Sequence, residues 1–309
     1  MEPFLRWAGG KRWLAPKLAP LIEDVLRRQG GDYAEPFAGS AAVFFHLAPK
    51  RAILSDLNAD LIEAYWQIRI DYRPIEERLA SWPVEADFYN RLRSANPSCT
   101  VERAARFIYL NRTCYGGLHR ENRQGQFNTP FGGGSRTPAP VLAKRLLEKA
   151  HFVLQNVTLK VCDFEDVLSF AAENDVVFCD PTYSNVNKGS FDRYGRTIFA
   201  WEEQLRLAEA ANAAMERGAL VIVSNGCFRD TIPLYRSAYR IRLHKKKTIG
   251  HRAKQNECHH EYLFVLDPLR RRQLWAQVGP IENRRVATRG VVGTAGEHRQ
   301  RVLALGGRA

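Results

Sequence analysis

Asp175-Val176-Val177-Phe178-Cys179-Asp180-Pro181-Thr182-Tyr183 is the stretch that decides how this chain folds. Its first half is apolar and β-branched and reads as a buried parallel strand. Its second half sets a carboxylate, a rigid proline and an aromatic ring just past the strand's carboxyl end, where open α/β sheets hold their ligands. That grouping suits one chemistry. The exocyclic amine of a nucleobase is a poor nucleophile because its lone pair is delocalised into the ring. Asp180 and the carbonyl of Pro181 can accept the two amine hydrogens and shift the nitrogen towards a localised lone pair, while Tyr183 stacks on the base. A strand and turn with Asp180 as a helix cap and Tyr183 in the core is the alternative that this stretch alone leaves open.

Upstream, Asp32-Tyr33-Ala34-Glu35 leads into Pro36-Phe37-Ala38-Gly39-Ser40-Ala41-Ala42 and a helix through Leu47. Strand, small-residue turn and helix make the first βα unit of a nucleotide-type fold, with Gly39 allowing close approach. The next strand, Arg51 to Ser55, ends at Asp56. An acid there can hydrogen-bond both hydroxyls of a ribose, or Asp56-Leu57-Asn58 can cap the helix predicted over Asp60 to Ile70. The chain opens with Phe4-Leu5-Arg6-Trp7-Ala8-Gly9-Gly10-Lys11, before a helix whose apolar Trp13, Leu14, Leu18, Leu21, Ile22, Val25 and Leu26 recur at helical spacing. Its paired glycines either admit a ligand, with Lys11 meeting a carboxylate, or form a flexible N-cap.

Composition narrows the class. A chain of 309 residues that is 45% hydrophobic can bury a full core. No apolar run approaches a membrane span and the first residues carry no signal-peptide pattern, so a cytoplasmic, nucleoid-associated protein is expected. The six cysteines are scattered without a C-x-x-C pair, which predicts reduced thiols and no metal site. A net charge of +13 fits a polyanionic partner, nucleic acid first.

The three quoted stretches together resemble the Dam-type (D12 class) DNA adenine N6-methyltransferases, whose motifs are F-x-K/R-W-A-G-G-K, E-P-F-x-G-G and D-P-P-Y. The match runs from about Phe4 to about Leu266. It implies a Rossmann-like α/β sheet that binds S-adenosylmethionine through Trp7, Lys11, Glu35, Phe37, Gly39 and Asp56. The acid–aromatic pair Asp163-Phe164 matches the family's hold on the cofactor's adenine, and a plain helix start at Asp163 is compatible with it. Ser40 replaces the family's second glycine and Thr182 its second proline.

From Arg73 to Leu110 the pattern turns helical and interrupts the β–α alternation, which predicts an inserted domain. It runs into Asn111-Arg112-Thr113-Cys114-Tyr115-Gly116-Gly117-Leu118-His119-Arg120-Glu121-Asn122. Rich in Arg, Asn, Gly and aromatics, this segment is similar to the family's target-reading hairpin, N-R-x-x-[FY]-N-G-L-x-R-x-N. The resemblance implies DNA contacts by Asn111, Arg112, Tyr115, Leu118, Arg120 and Asn122, with Gly116 in place of the family's Asn. Without it the segment reads as a surface loop.

Further on, a polar loop over 184–200, a strand over Ala219 to Val223 ending at Ser224-Asn225, antiparallel strands over Tyr239 to Leu243 and Glu261 to Leu266, and a basic loop over 244–254 are expected. Residues 268–309 hold nine Arg and two Glu and read as a flexible basic tail. The predicted organisation is a catalytic domain over 1–70 and 139–267, a helical target-recognition insertion over 71–138, and the tail.

The resulting expectation is a monomeric, metal-free, site-specific methyltransferase. It moves a methyl group from S-adenosylmethionine to N6 of an adenine flipped out of double-stranded DNA. Asp180, Pro181 and Tyr183 form the catalytic group, and the resemblance, which sets Arg120 where the family reads a guanine, implies a G-A-T-C-like site. A cytosine-C5 enzyme would need a Pro-Cys nucleophile, and the chain has no Pro-Cys dipeptide. A DNA-binding protein of the same fold that has lost catalysis, and an amino-methyltransferase acting on cytosine N4 or RNA adenine, are the alternatives.

Overall fold

β-branched and aromatic runs build a sheet that, among the residues described, has seven strands: β1 (Tyr33–Glu35), β2 (Ala52–Asp56), β3 (Val157–Val161), β4 (Val176–Cys179), β5 (Leu220–Gly226), β6 (Tyr239–Lys246) and β7 (Cys258–Leu266). The computed structural model describes residues 1–122, 124–133, 136–183, 199–246 and 258–282. Their order across the sheet is β3-β2-β1-β4-β5-β7-β6. β1 to β5 pair in parallel, and β7 runs against both β5 and β6. The order reverses between β1 and β4, the point at which open α/β sheets hold ligands, at the carboxyl ends of the strands. The expected α/β architecture, with its two closing antiparallel strands, is what forms.

The helices are α1 (Ala15–Gln29), α2 (Ala42–Leu47), α3 (Ala59–Ile70), α4 (Arg73–Ser81), α5 (Ala86–Ser94), α6 (Thr100–Thr113), α7 (Ala139–Ala143), α8 (Leu146–Leu154), α9 (Phe164–Phe170), α10 (Trp201–Glu216) and α11 (Arg272–Trp275). Successive strand residues face opposite sides of the sheet. Val176, Phe178, Leu220 and Ile222 join a core with α1, α2, α3 and α6. Val177, Cys179, Val221 and Val223 join a second core with α9 and α10. Each such fully buried side chain contributes roughly 1.5–3 kcal/mol, so the central strands are fixed from both faces. Ile75, Leu79, Tyr89 and Ile108 of the inserted helices belong to the first core, which makes the insertion continuous with the main body.

One expectation is corrected in part. The tail predicted from Pro268 is packed over 268–282. Trp275 is fully buried, and its indole N–H donates to Asp267 at 2.8 Å. Arg271 reaches the same carboxylate at 2.7 Å, and Ile281 bridges to Ile241 on β6. A single large aromatic with a satisfied polar edge holds a stretch whose periodicity is too short to read. The polar loop over 184–198, Lys247 to Lys254 of the basic loop, and 283–309 lie outside the described residues. His244, Lys245 and Lys246, read as part of that loop, continue β6.

Candidate active site

Asp180 directly follows β4, and the register Cys179↔Val223 sets Ser224 of β5 beside it. The Ser224 hydroxyl donates to Asp180 Oδ1. Lys11 Nζ lies 2.6 Å from the same oxygen and 3.5 Å from Glu261 Oε2, and donates to the Gly9 carbonyl at 2.8 Å. Glu261 arrives on β7 opposite Gly226. The Tyr183 hydroxyl donates to Glu261 Oε2 at 3.0 Å and stands 3.3 Å from Ser224 Oγ, while the Lys11 ammonium is 5.1 Å from the Tyr183 ring centre. The side chains of Lys11 and Asp180 are 2% and 18% exposed, so the cation is sealed in while the carboxylate keeps an open side.

Charge is concentrated here. Burial alone would lower the Lys11 pKa, but Asp180, Tyr183 and Glu261 outweigh it and hold the ammonium above the ordinary lysine value. Burial pushes the Tyr183 phenol up, so it stays protonated and donates. At the end of β1, Glu35 Oε1 accepts the Tyr33 hydroxyl at 2.7 Å and the Phe44 N–H at 2.6 Å. Burial, opposed by those two bonds and assisted by Asp180, moves Glu35 from 4.5 up to about 8.

The turn after β1 meets the end of β2. Gly39 has φ +45°, and a Cβ there would stand 2.9 Å from the Trp7 indole, so the ring lies directly on the glycine. Gly39 N–H donates to Asp56 Oδ2 and Asn58 N–H to Asp56 Oδ1, each at 3.0 Å. Asp56 thus ties the turn after β1 to the start of α3, with a further backbone bond from Leu57. Burial raises the Asp56 pKa, against those backbone bonds. Asn58, rather than Asp56, caps α3 by accepting the Leu61 N–H at 3.0 Å. Phe37 stacks on Phe164 at 5.3 Å and 24°. Asp163 caps α9 through Glu165 N–H and also meets Arg206 at 3.0 Å, while the Arg206 guanidinium lies 5.0 Å from the Phe164 ring centre. All the residues expected to hold a cofactor thus gather along the ends of β1, β2, β3 and β4. Lys11 differs in that its carboxylate partner is Asp180 of the protein itself.

The hairpin residues divide. Asn111 and Arg112, expected at the DNA, are corrected. Both lie in the last turn of α6, 3% and 4% exposed. The Asn111 amide accepts the Arg6 N–H at 2.8 Å and donates to the Arg6 carbonyl at 2.7 Å, as a neighbouring strand would. Arg112 reaches the Phe4 carbonyl, and burial with Arg6 and Arg12 nearby lowers its pKa to about 10. Their polar groups fasten the N-terminal segment, and through it Trp7. Asn122 closes the turn instead of facing outwards alone. Its Oδ1 accepts Gln124 and Gln126 N–H at 3.0 Å, and its Nδ2 donates to Gln126 Oε1 at 2.9 Å. Tyr115 is 45% exposed, and Leu118 and Arg120 are half-buried along the same loop. Gly116 has φ +69°, a conformation that Gly and Asn both tolerate, so the exchange keeps the backbone and removes only a side chain.

Sequence reading did not single out Ser224, Glu261, Arg206 or His119. Ser224 carried one signal, since a hydroxyl ends a buried strand that a parallel neighbour aligns with Asp180. Glu261 carried none, because its partner Lys11 stands at the other end of the chain. Among the described residues no group of three or more His, Cys, Asp or Glu could hold a metal ion, and no helix is long and apolar enough to cross a membrane.

A family model described as D12 class N6 adenine-specific DNA methyltransferase matches residues 7–249. The chain is similar to the Type II methyltransferase M1.LlaDCHI of Lactococcus lactis subsp. cremoris, at 33% identity over 79% of this chain and 87% of that protein. It is 34% identical to the Type II methyltransferase M.MjaIII of Methanocaldococcus jannaschii, over 73% of this chain and 84% of that one. The DNA adenine methylase of Escherichia coli K12 is also 34% identical, over 79% and 86%.

Proposed function

The chain belongs to the D12 class of N6 adenine-specific DNA methyltransferases, and from that premise we propose that S-adenosylmethionine is its methyl donor and that Asp180, Pro181 and Tyr183 hold the target amine. The function is site-specific methylation of adenine in DNA. When bound, the donor supplies an electrophilic methyl on a sulfonium. Every other requirement falls on the chain.

The observation that carries the assignment is the loading of Asp180. Among the described residues, Lys11 and Ser224 converge on Oδ1. That fixes the carboxylate's rotation and leaves Oδ2 as the oxygen assigned to one N6 hydrogen, with the Pro181 carbonyl taking the other. Accepting both hydrogens draws the nitrogen lone pair out of conjugation. The amine then attacks in line, the N–C bond forms as the C–S bond breaks, and the extra proton leaves to water. Positioning supplies much of the acceleration, since no covalent enzyme intermediate is required. Tyr183, anchored through its hydroxyl to Glu261 and Ser224, offers its ring to a base extruded from the duplex. Thr182, the departure from D-P-P-Y, is exposed between buried Pro181 and half-buried Tyr183.

For the donor, the Asp56 carboxylate suits ribose hydroxyls, the Phe37–Phe164 pair suits an adenine face, and the Trp7 indole, lying on Gly39, forms a wall of the site. Glu35, which otherwise keeps its proton up to about pH 8, becomes a partner for the donor's positive charge only when that charge draws the proton off. We assign DNA contact to Tyr115, Leu118 and Arg120, a recognition module to the inserted helices, and a monomeric state to the protein.

The test incubates purified protein with methyl-labelled S-adenosylmethionine and unmethylated genomic DNA, digests to nucleosides and identifies the labelled one. N6-methyladenine is expected. Label in N4-methylcytosine, or no label while the donor is bound, overturns the reading.

A further inference from the structure

His119 lies on the hairpin, yet its ring reaches back to the donor side of the molecule. It stacks on the Trp7 indole at 5.7 Å and 14°, and packs against Phe107 and Phe127. Its Nε2 is 3.0 Å from Asn58 Nδ2 and 3.1 Å from Glu121 Oε1. Those two neighbours make incompatible demands. The orientation of the Asn58 amide is fixed, because its Oδ1 caps α3 through the Leu61 N–H. Asn58 therefore offers Nε2 a donor, which needs a bare ring nitrogen, whereas the Glu121 carboxylate needs a protonated one. One nitrogen cannot serve both.

Asn58 in turn donates its backbone N–H to Asp56, which holds Gly39. A chain of contacts thus runs from the DNA-reading hairpin through His119 to the residue assigned above to the donor's ribose and to the glycine under Trp7. We propose that His119 is a positioning residue that couples donor binding to DNA binding, with its Nε2 exchanging between Glu121 and Asn58. DNA against the hairpin brings phosphates near Glu121 and repels that carboxylate from the ring. With that acceptor withdrawn the neutral ring changes tautomer, the Nε2 proton passing through water to Nδ1, and the bared Nε2 takes the Asn58 bond, so that the Asp56–Gly39 end of the donor site is held still. Because coupling is reciprocal, a bound donor tightens DNA to the same degree.

This inference rests on the donor and DNA assignments of the preceding subsection, and the experiment separates the two. Binding of S-adenosylhomocysteine, which cannot turn over, is measured by calorimetry with and without unmethylated duplex DNA. In the unaltered protein, DNA tightens the ligand by about five- to tenfold. His119→Phe keeps the stack on Trp7 but brings that factor to near one. His119→Gln, whose amide can accept from Asn58 and donate to Glu121 at once, restores tight binding and no longer needs DNA to do so. Glu121→Gln likewise raises affinity without DNA to the level that the unaltered protein shows with it, and stands in if the Phe variant fails to fold. Unchanged coupling in His119→Phe, or a Glu121→Gln variant as DNA-dependent as the parent, overturns the inference alone. Failure of the unaltered protein to bind the ligand overturns it together with the assignment of the donor.

Discussion

The D-P-T-Y crevice and the Asn111-Arg112 corner both carry residues of family motifs, and they use them in opposite ways. In the crevice Lys11, Asp180, Glu261 and Glu35 are charged or titratable groups held out of water, with one side left for a ligand. In the corner the Asn111 amide is spent entirely on Arg6, and Arg112 and Arg12 hold backbone carbonyls of Pro3, Phe4 and Leu5. A motif residue is thus retained either for what it leaves unsatisfied or for what it completes. Only the surroundings say which.

The contrast breaks most plainly at Asp180. Asp180→Ala should lower turnover about a thousandfold or more while S-adenosylhomocysteine still binds, as read by labelled-methyl incorporation beside calorimetry. Undiminished turnover would place the chemistry elsewhere.

Glu35 tests whether the crevice gives up stability for function. Its folded pKa is raised from 4.5 to about 8, so the folded state holds a proton that the unfolded state has released. Stability should therefore fall as pH rises through that window, by something on the order of 4 kcal/mol. Glu35→Gln keeps both hydrogen bonds and should flatten the profile in urea titrations at successive pH values. An unaltered slope would mean that Glu35 does not titrate there.

At the corner, Asn111→Ala strands the N–H and carbonyl of Arg6 and should reduce stability by about 2–4 kcal/mol. The salt dependence of DNA binding by the folded fraction should not move, since no phosphate contact is lost. A shallower salt slope would return Asn111 to the DNA interface. Tyr115 supplies the smallest effect and the opposite pattern. Tyr115→Ala should weaken DNA binding by about 1–3 kcal/mol through lost stacking, with a melting temperature close to that of the parent because the ring is 45% exposed.

What could be read from sequence follows how far apart the interacting residues stand. Asp180, Gly39 and Asp56 each end or follow a strand whose apolar run is local, so a short window places them at the sheet's carboxyl edge. Glu261 meets Lys11 only because β7 inserts between β5 and β6, and no short window contains that. The burial of Asn111 and Arg112 is not legible because the apolar pattern stops at Leu110, whereas α6 runs to Thr113 and carries both side chains inwards. The packing of 268–282 is not legible because Trp275 acts alone there, and one buried ring leaves no periodic trace.

The position of Glu261 also bears on how the protein is made. Lys11 leaves the ribosome early and Glu261 late, because synthesis runs from the N-terminus. Until β7 lies between β5 and β6, Lys11 lacks its second carboxylate and the Tyr183 hydroxyl lacks one of its two partners. A nascent chain or a truncated product that stops short of β7 carries the whole D-P-T-Y stretch and still has an incomplete pocket. The set of contacts around Asp180 is therefore complete only when segments from both ends of the described fold have met.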